Sequence, residues 1–142
     1  MTEEKKKLLH PDSKHLIETY NILLESKEVS FPLHDFQVFN LDSIAKTVNS
    51  RYFGIVRFPS YEEQASAYFC FIIKNHPVTD GNKRLAVLWL EVFCQALRLN
   101  LKSRITLDVL AVAVEQEKNM NMDSIISVVK YTLFGDNLTY AK

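Results

Sequence analysis

A segment in the middle of the chain, from His76 to Arg84, concentrates side chains that can do chemistry. Its histidine can accept a proton near neutral pH. Asp80 can hold a divalent cation, and Mg²⁺ typically uses one or two carboxylates together with phosphate oxygens of a substrate. A base, a metal-binding carboxylate and the two cations Lys83 and Arg84, so close in the chain, predict phosphoryl or nucleotidyl transfer.

The end of this segment is also expected to be the beginning of a helix. The free N–H groups from Gly81 to Arg84 and the positive end of the helix dipole would together form an anion site. Lys83 and Arg84 add positive charge where a helix disfavours it, and a bound anion would resolve that conflict. Gly81 would let the backbone approach a ligand closely.

Taken one at a time, these residues have ordinary structural explanations. A histidine beside a proline in a loop is more often structural than catalytic, Asp80-Gly81 is a common turn pair, and adjacent cations usually lie on a solvated face. Their combination between the two most hydrophobic helices favours a function, because charge is costly in a shielded place unless it is paired or used. We therefore expect the loop to be partly shielded.

Apolar periodicity predicts six helices around this loop. They are expected over Ser13–Lys27, around Leu41–Val48, from Tyr61 to Asn75, from Asn82 or Lys83 to Leu99, around Leu107–Val114 and around Met122–Leu133. The segment Glu28–Asn40 has no clean period and predicts a loop, and Phe53–Pro59 predicts a short hairpin or flap. The third helix should be largely buried and the fourth should be apolar nearly all round.

Three residues mark helix ends in these patterns. Ser60, with Glu63 three residues later, predicts a capping box at the start of the third helix. Thr106 is a candidate N-cap, and Gly135 is a candidate C-terminal residue of the last helix.

The composition fits one globular domain spanning 1–142, with 47% hydrophobic and 24% charged residues. Three glycines and four prolines leave few turns, which argues against a many-stranded β protein. Seventeen Lys and Arg against seventeen Asp and Glu give zero net charge, which argues against a nucleic-acid partner. Cys70 and Cys94 are expected to be buried free thiols.

No segment of the sequence resembles a membrane anchor or a secretion signal. Met1–Lys7 is charged and has no apolar region after it. The most apolar run, Leu85–Leu99, is interrupted by charged and polar residues and is too short to span a bilayer. We expect no membrane partner and a cytoplasmic location.

With the loop in view, the chain resembles the Fic/Doc (Fido) superfamily, whose motif is H-x-F-x-D-[GA]-N-[GK]-R. Here the motif stands as His76-Pro-Val-Thr-Asp-Gly-Asn-Lys-Arg84. The flanking helices around Ala67–Asn75 and Leu85–Ala86 also look like those of the family. The resemblance implies an all-α, compact Fido-type bundle of about six helices with a short β-hairpin flap. It also implies a transferase that uses ATP and Mg²⁺.

The resemblance assigns a role to each matching position. His76 would be the general base that deprotonates a hydroxyl of a target protein, and Asp80 would bind Mg²⁺. Lys83 and Arg84 would act in catalysis and bind phosphate. The residues implied in nucleotide and phosphate binding are Thr79, Gly81, Asn82, Lys83 and Arg84. The segment Tyr52–Pro59 matches the family's flap, on which a target segment docks by strand addition.

Lys83 is the position that discriminates between branches of the superfamily. Most AMP-transferring Fic proteins have a small glycine there, whereas a lysine is typical of the Doc (death-on-curing) branch. That branch passes the γ-phosphate of ATP to a Ser or Thr hydroxyl. The resemblance therefore implies a kinase-like toxin of a toxin–antitoxin pair.

Two positions depart from the family's pattern. Val78 stands where the family has a phenylalanine that anchors the loop, and a smaller anchor is expected to loosen the site. The form of the motif with Pro77 and Gly81 is closer to that of Fic proteins than to that of Doc itself, which favours alanine at the position of Gly81.

No glutamate fits the family's inhibitory pattern [ST]-x-x-x-E-[GN]. Restraint is therefore expected from an antitoxin or inhibitor protein in trans, or from part of a longer chain.

Two alternatives remain open from the sequence. The same His76 loop could transfer AMP to a protein (AMPylation), or the domain could be a non-catalytic Fido interaction module. The density of reactive side chains argues against the module, and Val78 is the one feature in its favour.

Overall fold

The computed structural model describes residues 10–140, in which six helices accompany one small hairpin. The elements are α1 (Ser13–Glu25), α2 (Asp35–Val48), β1 (Arg51–Tyr52), β2 (Ile55–Val56), α3 (Tyr61–Asn75), α4 (Asn82–Leu97), α5 (Leu107–Gln116) and α6 (Met122–Phe134). The predicted all-α bundle of about six helices with a β-hairpin is confirmed. The charged segment Met1–Lys7 lies outside the described residues.

The third helix, α3, is the central element of the core. It packs against α2, α4, α5 and α6. Every residue from Gln64 to Ile73 is buried, as expected for this helix. Such complete burial fixes the position of its last turn, and the reactive loop starts directly after it.

Helix α4 follows the loop and is more amphipathic than expected. Its buried face consists of Leu85, Ala86, Trp89, Leu90, Phe93 and Cys94. Glu91 and Gln95 are exposed on the opposite side. The prediction of a helix that is apolar nearly all round is therefore wrong, because one face of α4 meets solvent.

The ends of the helices match most of the predicted signals. Ser60 Oγ accepts a hydrogen bond from the backbone N–H of Glu63 at 3.0 Å, and Thr106 Oγ1 accepts one from Val109 at 3.4 Å. Gly135 follows α6 with φ of +65°. The carboxylate of Glu63 accepts its bond from the Ser60 hydroxyl, at 2.9 Å, instead of from a backbone N–H.

The predicted loop over Glu28–Asn40 is wrong in its second half, because α2 already begins at Asp35. The first turns of α2 expose Phe36 and Phe39, which are 62% and 67% accessible. Apolar residues that face solvent hide the periodicity by which a buried helix face is found. Helix α1 is also shorter than expected and ends at Glu25.

The hairpin pairs Arg51 with Val56 and Tyr52 with Ile55 in antiparallel register. Phe53 and Gly54 form its turn with φ of +51° and +80°, the sign that tight hairpin turns require. Tyr52, Phe53 and Ile55 are exposed. The predicted short hairpin is confirmed, and it presents apolar side chains to solvent.

Cys70 and Cys94 are free and buried, as predicted. Burial raises the pKa of both thiols to about 12. They are therefore protonated near neutral pH and belong to the core. Within residues 10–140, no helix combines the length and the apolar character that crossing a membrane requires.

Candidate active site

The reactive loop leaves α3 through an abrupt change in backbone direction. His76 adopts the left-handed conformation, with φ of 48° and ψ of 59°, and so ends the helix. Pro77 and Val78 are buried, whereas His76, Thr79, Asp80 and Arg84 are exposed. The loop is therefore partly shielded, as expected: Gly81, Asn82 and Lys83 are half-buried, and only these four polar side chains are exposed between His76 and Arg84.

Val78 and Asn82 close the loop on itself. Asn82 Nδ2 donates to the carbonyl oxygen of Val78 at 2.9 Å, and the N–H of Val78 donates to Asn82 Oδ1 at 3.1 Å. Val78 is only 4% exposed, so the smaller anchor still fills its place in the core. These bonds use one N–H of Asn82 Nδ2, so its second N–H and its backbone N–H are the donors left for a ligand.

Helix α2 holds the loop from a second side. Gln37, which is buried, donates from Nε2 to Thr79 Oγ1 at 2.5 Å. Asn40 Nδ2 donates to the carbonyl oxygen of Pro77 at 3.3 Å. Neither residue was predicted to matter, because both lie in the segment that was expected to be a loop.

The connection between α1 and α2 meets the loop at Gly81. The backbone of Gly81 has φ of +81°, and a Cβ at this position would lie 2.3 Å from Val29 Cγ1. The close approach that the glycine allows is thus to the buried Val29 side chain. Beside it, the guanidinium of Arg84 donates to the carbonyl oxygen of Glu28.

Tyr20 of α1 is buried, and its pKa depends in part on the charge of Asp80 in the loop. Its hydroxyl donates to the carbonyl oxygen of Phe31 at 2.6 Å. Burial raises the pKa of Tyr20, and the negative charge of Asp80 raises it further. The carboxylate of Asp80 itself is exposed.

The loop and the first turn of α4 line a cleft of about 400 Å³, a size that small ligands occupy. Its lining residues are His76, Thr79, Asp80, Gly81, Asn82, Lys83, Arg84 and Glu115. All the side chains predicted for the reactive loop meet here. Glu115 was not predicted, because it lies 32 residues after Lys83 and no spacing in the sequence connects the two.

Glu115 forms an ion pair inside the cleft. Lys83 Nζ lies 2.9 Å from Glu115 Oε2. The hydrogen bond from Lys83 lowers the pKa of Glu115, and the positive charges of Lys83 and Lys118 lower it further. This carboxylate thus pairs with a predicted phosphate-binding cation and lines the same cleft as the predicted base.

Two cations outside the loop, Lys74 and Arg57, have structural partners. Lys74 Nζ donates to the carbonyl oxygens of Glu115, at 3.4 Å, and Glu117. The guanidinium of Arg57 lies 3.1 Å from Asp123 Oδ1 and 5.0 Å from the centre of the Phe58 ring. Neither cation lines the cleft.

The donor set of the cleft fits a magnesium–polyphosphate ligand. Within residues 10–140, no group of three or more His, Cys, Asp or Glu side chains is placed to hold a metal ion. Asp80 supplies an exposed carboxylate to the cleft, whereas the carboxylate of Glu115 is paired with Lys83. One carboxylate combined with substrate phosphates is a common way for proteins to bind Mg²⁺, and the N–H groups of the first turn of α4 would meet those phosphates.

Comparison with known proteins gives one match. A family model described as the Fic/DOC family matches residues 10–94, which is more than half of the 142 residues. The match includes α1 to α3, the complete loop and most of α4. No curated protein and no solved structure matches the chain. By this match, which contains the whole motif from His76 to Arg84, the chain belongs to the Fic/DOC family.

Proposed function

We propose that this protein transfers the γ-phosphate of ATP to a Ser or Thr hydroxyl of a target protein. Members of the Fic/DOC family are in general transferases that AMPylate or phosphorylate proteins. The observation that carries the finer proposal is Lys83, whose ammonium group lines the cleft at the first turn of α4. A long cation there fills space that a small residue would leave to a phosphate, and it binds phosphate charge at its own position.

The chemical roles follow from the placement of the lining residues. A nitrogen of the His76 imidazole takes the proton of the target hydroxyl while that oxygen bonds to the γ-phosphorus. The bond between the γ-phosphorus and its bridging oxygen breaks, and ADP leaves. The backbone N–H groups of α4, together with Lys83 and Arg84, stabilise the negative charge of the phosphates.

Asp80 is the residue that would hold Mg²⁺. The ion supplies positive charge to the phosphate oxygens when bound. Thr79 lies next to Asp80, and its hydroxyl oxygen accepts a bond from Gln37. Its own proton can therefore be donated to a phosphate oxygen.

The hairpin is the proposed docking place of the target. Within Tyr52–Pro59 it exposes Tyr52 and Ile55 beside a two-stranded ladder. An extended segment of the target can pair with the free edge of such a ladder, and apolar side chains then add contact area.

An antitoxin or inhibitor protein acting in trans is the proposed source of restraint for this cytoplasmic toxin.

AMP transfer is the second candidate, and Gly81 favours it because the Fic form of the motif has glycine there. In that reaction the target oxygen bonds to the α-phosphorus and pyrophosphate leaves. The two reactions use the same base and the same metal carboxylate. They differ in which phosphate lies next to His76.

Isotope labelling separates the two reactions. The protein is incubated with a cell extract and ATP that carries ³²P at either the α or the γ position, with the His76→Asn variant as a control. We expect label from γ-³²P-ATP alone and a mass increase of about 80 Da on the modified protein, against about 329 Da for AMP. Label from α-³²P-ATP alone would favour AMP transfer, and labelling unchanged by His76→Asn would contradict both.

If neither form of ATP gives label and ATP–Mg²⁺ does not bind in calorimetry, the protein is a Fido interaction module. The loop geometry opposes that reading, because Val78 is buried and the reactive side chains share one cleft.

A further inference from the structure

Glu115 supplies a carboxylate to the cleft from outside the loop and α4. It is the one residue to do so among those that the structure describes. It belongs to the last turn of α5. Its Oε2 lies 2.9 Å from Lys83 Nζ, and the two side chains are 35% and 42% exposed. The ion pair is therefore open to solvent and to any ligand that enters the cleft.

The backbone of Glu115 is held in place from the core. Lys74, in the last turn of α3, donates to the carbonyl oxygens of Glu115 and Glu117. These carbonyls lie at the C-terminal end of α5, where a positive charge is favourable because of the helix dipole. Lys74 thus connects α3 to α5 at the level of the loop, so that the carboxylate of Glu115 faces the first turn of α4.

This arrangement leaves Lys83 neutralised before any ligand binds. A phosphate that uses Lys83 must compete with a carboxylate already in contact with it. After the exchange, Glu115 would remain close to the bound anion and repel it. The carboxylate of Asp80 lies in the same cleft, but a divalent cation can compensate that charge. Lys118, whose charge also acts on Glu115, donates to the backbone carbonyl oxygen of Glu115 at 3.3 Å and does not line the cleft.

We propose that Glu115 is the counter-ion that bound phosphate displaces from Lys83, and that it thereby lowers the affinity of the cleft for polyphosphate ligands. This inference rests on the proposed function, because it takes the cleft to be a phosphate site. Glu115 acts on the ligand through Lys83 and is not a catalytic residue. The role differs from stabilising Lys83 in a binding conformation, which would make Glu115 favourable to binding.

The test compares charge removal at two positions of α5. Glu115→Gln keeps the length of the side chain and an oxygen that can accept from Lys83, and it removes the charge. Asp108→Asn removes the same charge from an exposed residue in the first turn of the helix, about 10 Å away along its axis. Calorimetry measures the binding of ATP–Mg²⁺ and of tripolyphosphate to wild type and both variants, at low and at high salt.

We expect Glu115→Gln to bind tripolyphosphate and ATP–Mg²⁺ roughly fivefold more tightly at low salt, with a smaller gain at high salt where exposed charges are screened. Asp108→Asn should bind like wild type. Unchanged or weaker binding by Glu115→Gln, where wild type binds ATP–Mg²⁺, overturns the counter-ion role and leaves the proposed function standing.

The two ligands also separate the inference from the function beneath it. Suppose that Glu115→Gln binds tripolyphosphate more tightly than wild type does, and that neither protein binds ATP–Mg²⁺. This result would support the counter-ion role and contradict the nucleotide-dependent function. Failure of both ligands to bind wild type and Glu115→Gln overturns both.

Discussion

Gln37 of α2 donates a hydrogen bond from Nε2 to Thr79 Oγ1 over 2.5 Å, and its carboxamide oxygen accepts the backbone N–H of His34 at 3.0 Å. One buried side chain therefore both caps α2 and holds the reactive loop. The position of Thr79 therefore depends on the first turn of α2, although the two segments are far apart in the chain.

Replacing this side chain should weaken the fold and the loop together. We expect Gln37→Leu to lower the free energy of unfolding by about 0.5–1.5 kcal/mol, the net contribution of a typical hydrogen bond, because the N–H of the exposed His34 loses its protein partner. Urea denaturation measures the loss. Gln95→Leu, at an exposed position of α4, is the control and should change the free energy much less. Equal midpoints for wild type and Gln37→Leu would show that the bond has no net effect on stability.

Gly81 is required by its backbone and by Val29. An alanine at position 81 would have a Cβ 2.3 Å from Val29 Cγ1 and a φ of +81°. We expect Gly81→Ala to cost about 1–2 kcal/mol from the left-handed backbone and about 1–3 kcal/mol from overpacking.

A second substitution separates the two contributions to the Gly81→Ala penalty. Val29→Ala removes the clashing methyl groups, so the double variant should be more stable than the sum of the single effects predicts. Thermal unfolding of the four proteins gives the coupling. Strict additivity would mean that Val29 moves aside without cost.

His76 supplies an imidazole and also adopts a left-handed backbone conformation. Two substitutions distinguish the contribution of the side chain from that of the backbone. His76→Asn and His76→Ala both remove the imidazole, and each should reduce transfer by about 10²–10⁴-fold if His76 is the general base. Asparagine adopts the left-handed conformation more readily than alanine does, so His76→Ala should also be less stable by about 1 kcal/mol. Rates from γ-³²P transfer and unfolding midpoints provide the two measurements, and near wild-type transfer by His76→Asn would exclude the base role.

The ion pair between Lys83 and Glu115 should give a pH-dependent contribution to stability. The hydrogen bond from Lys83 lowers the pKa of Glu115 below its ordinary value of 4.5. The contribution is therefore fully present above pH 4.5 and is lost as the pH falls through the lower pKa of the folded state.

The comparison of wild type with Glu115→Gln isolates this contribution. Wild type should have the higher Tm near neutral pH, and the difference should shrink steadily as the pH falls below 4.5. Differential scanning calorimetry at several pH values measures it. A difference that does not change with pH would assign it to packing instead of charge.

The sequence predicted those parts of the site that are close together in the chain. His76, Asp80, Lys83 and Arg84 lie in one loop and the helix turn after it, so their convergence in one cleft follows from local geometry. The helices were found where their apolar residues face the core. Helix α3 is the strongest case, because Gln64–Ile73 is buried completely.

The remaining parts of the site depend on contacts between distant segments. Gln37 and Asn40 were missed because the exposed Phe36 and Phe39 obscured the start of α2. Glu115 reaches the cleft only because α5 packs against α3 and α4. No local pattern contains that information, since it arises when the helices pack.

The connection between α1 and α2 does not line the cleft, yet the loop and the first turn of α4 contact it. Val29 fills the space beside Gly81, and the carbonyl oxygen of Glu28 accepts from Arg84. The carbonyl oxygen of Phe31 accepts from Tyr20 at 2.6 Å, which ties the same connection to α1. Surface connections usually tolerate changes in length. Here an inserted residue between Ser26 and Ser30 would shift these groups out of register with the loop. The cleft thus constrains the length of a segment that contributes no side chain to its lining.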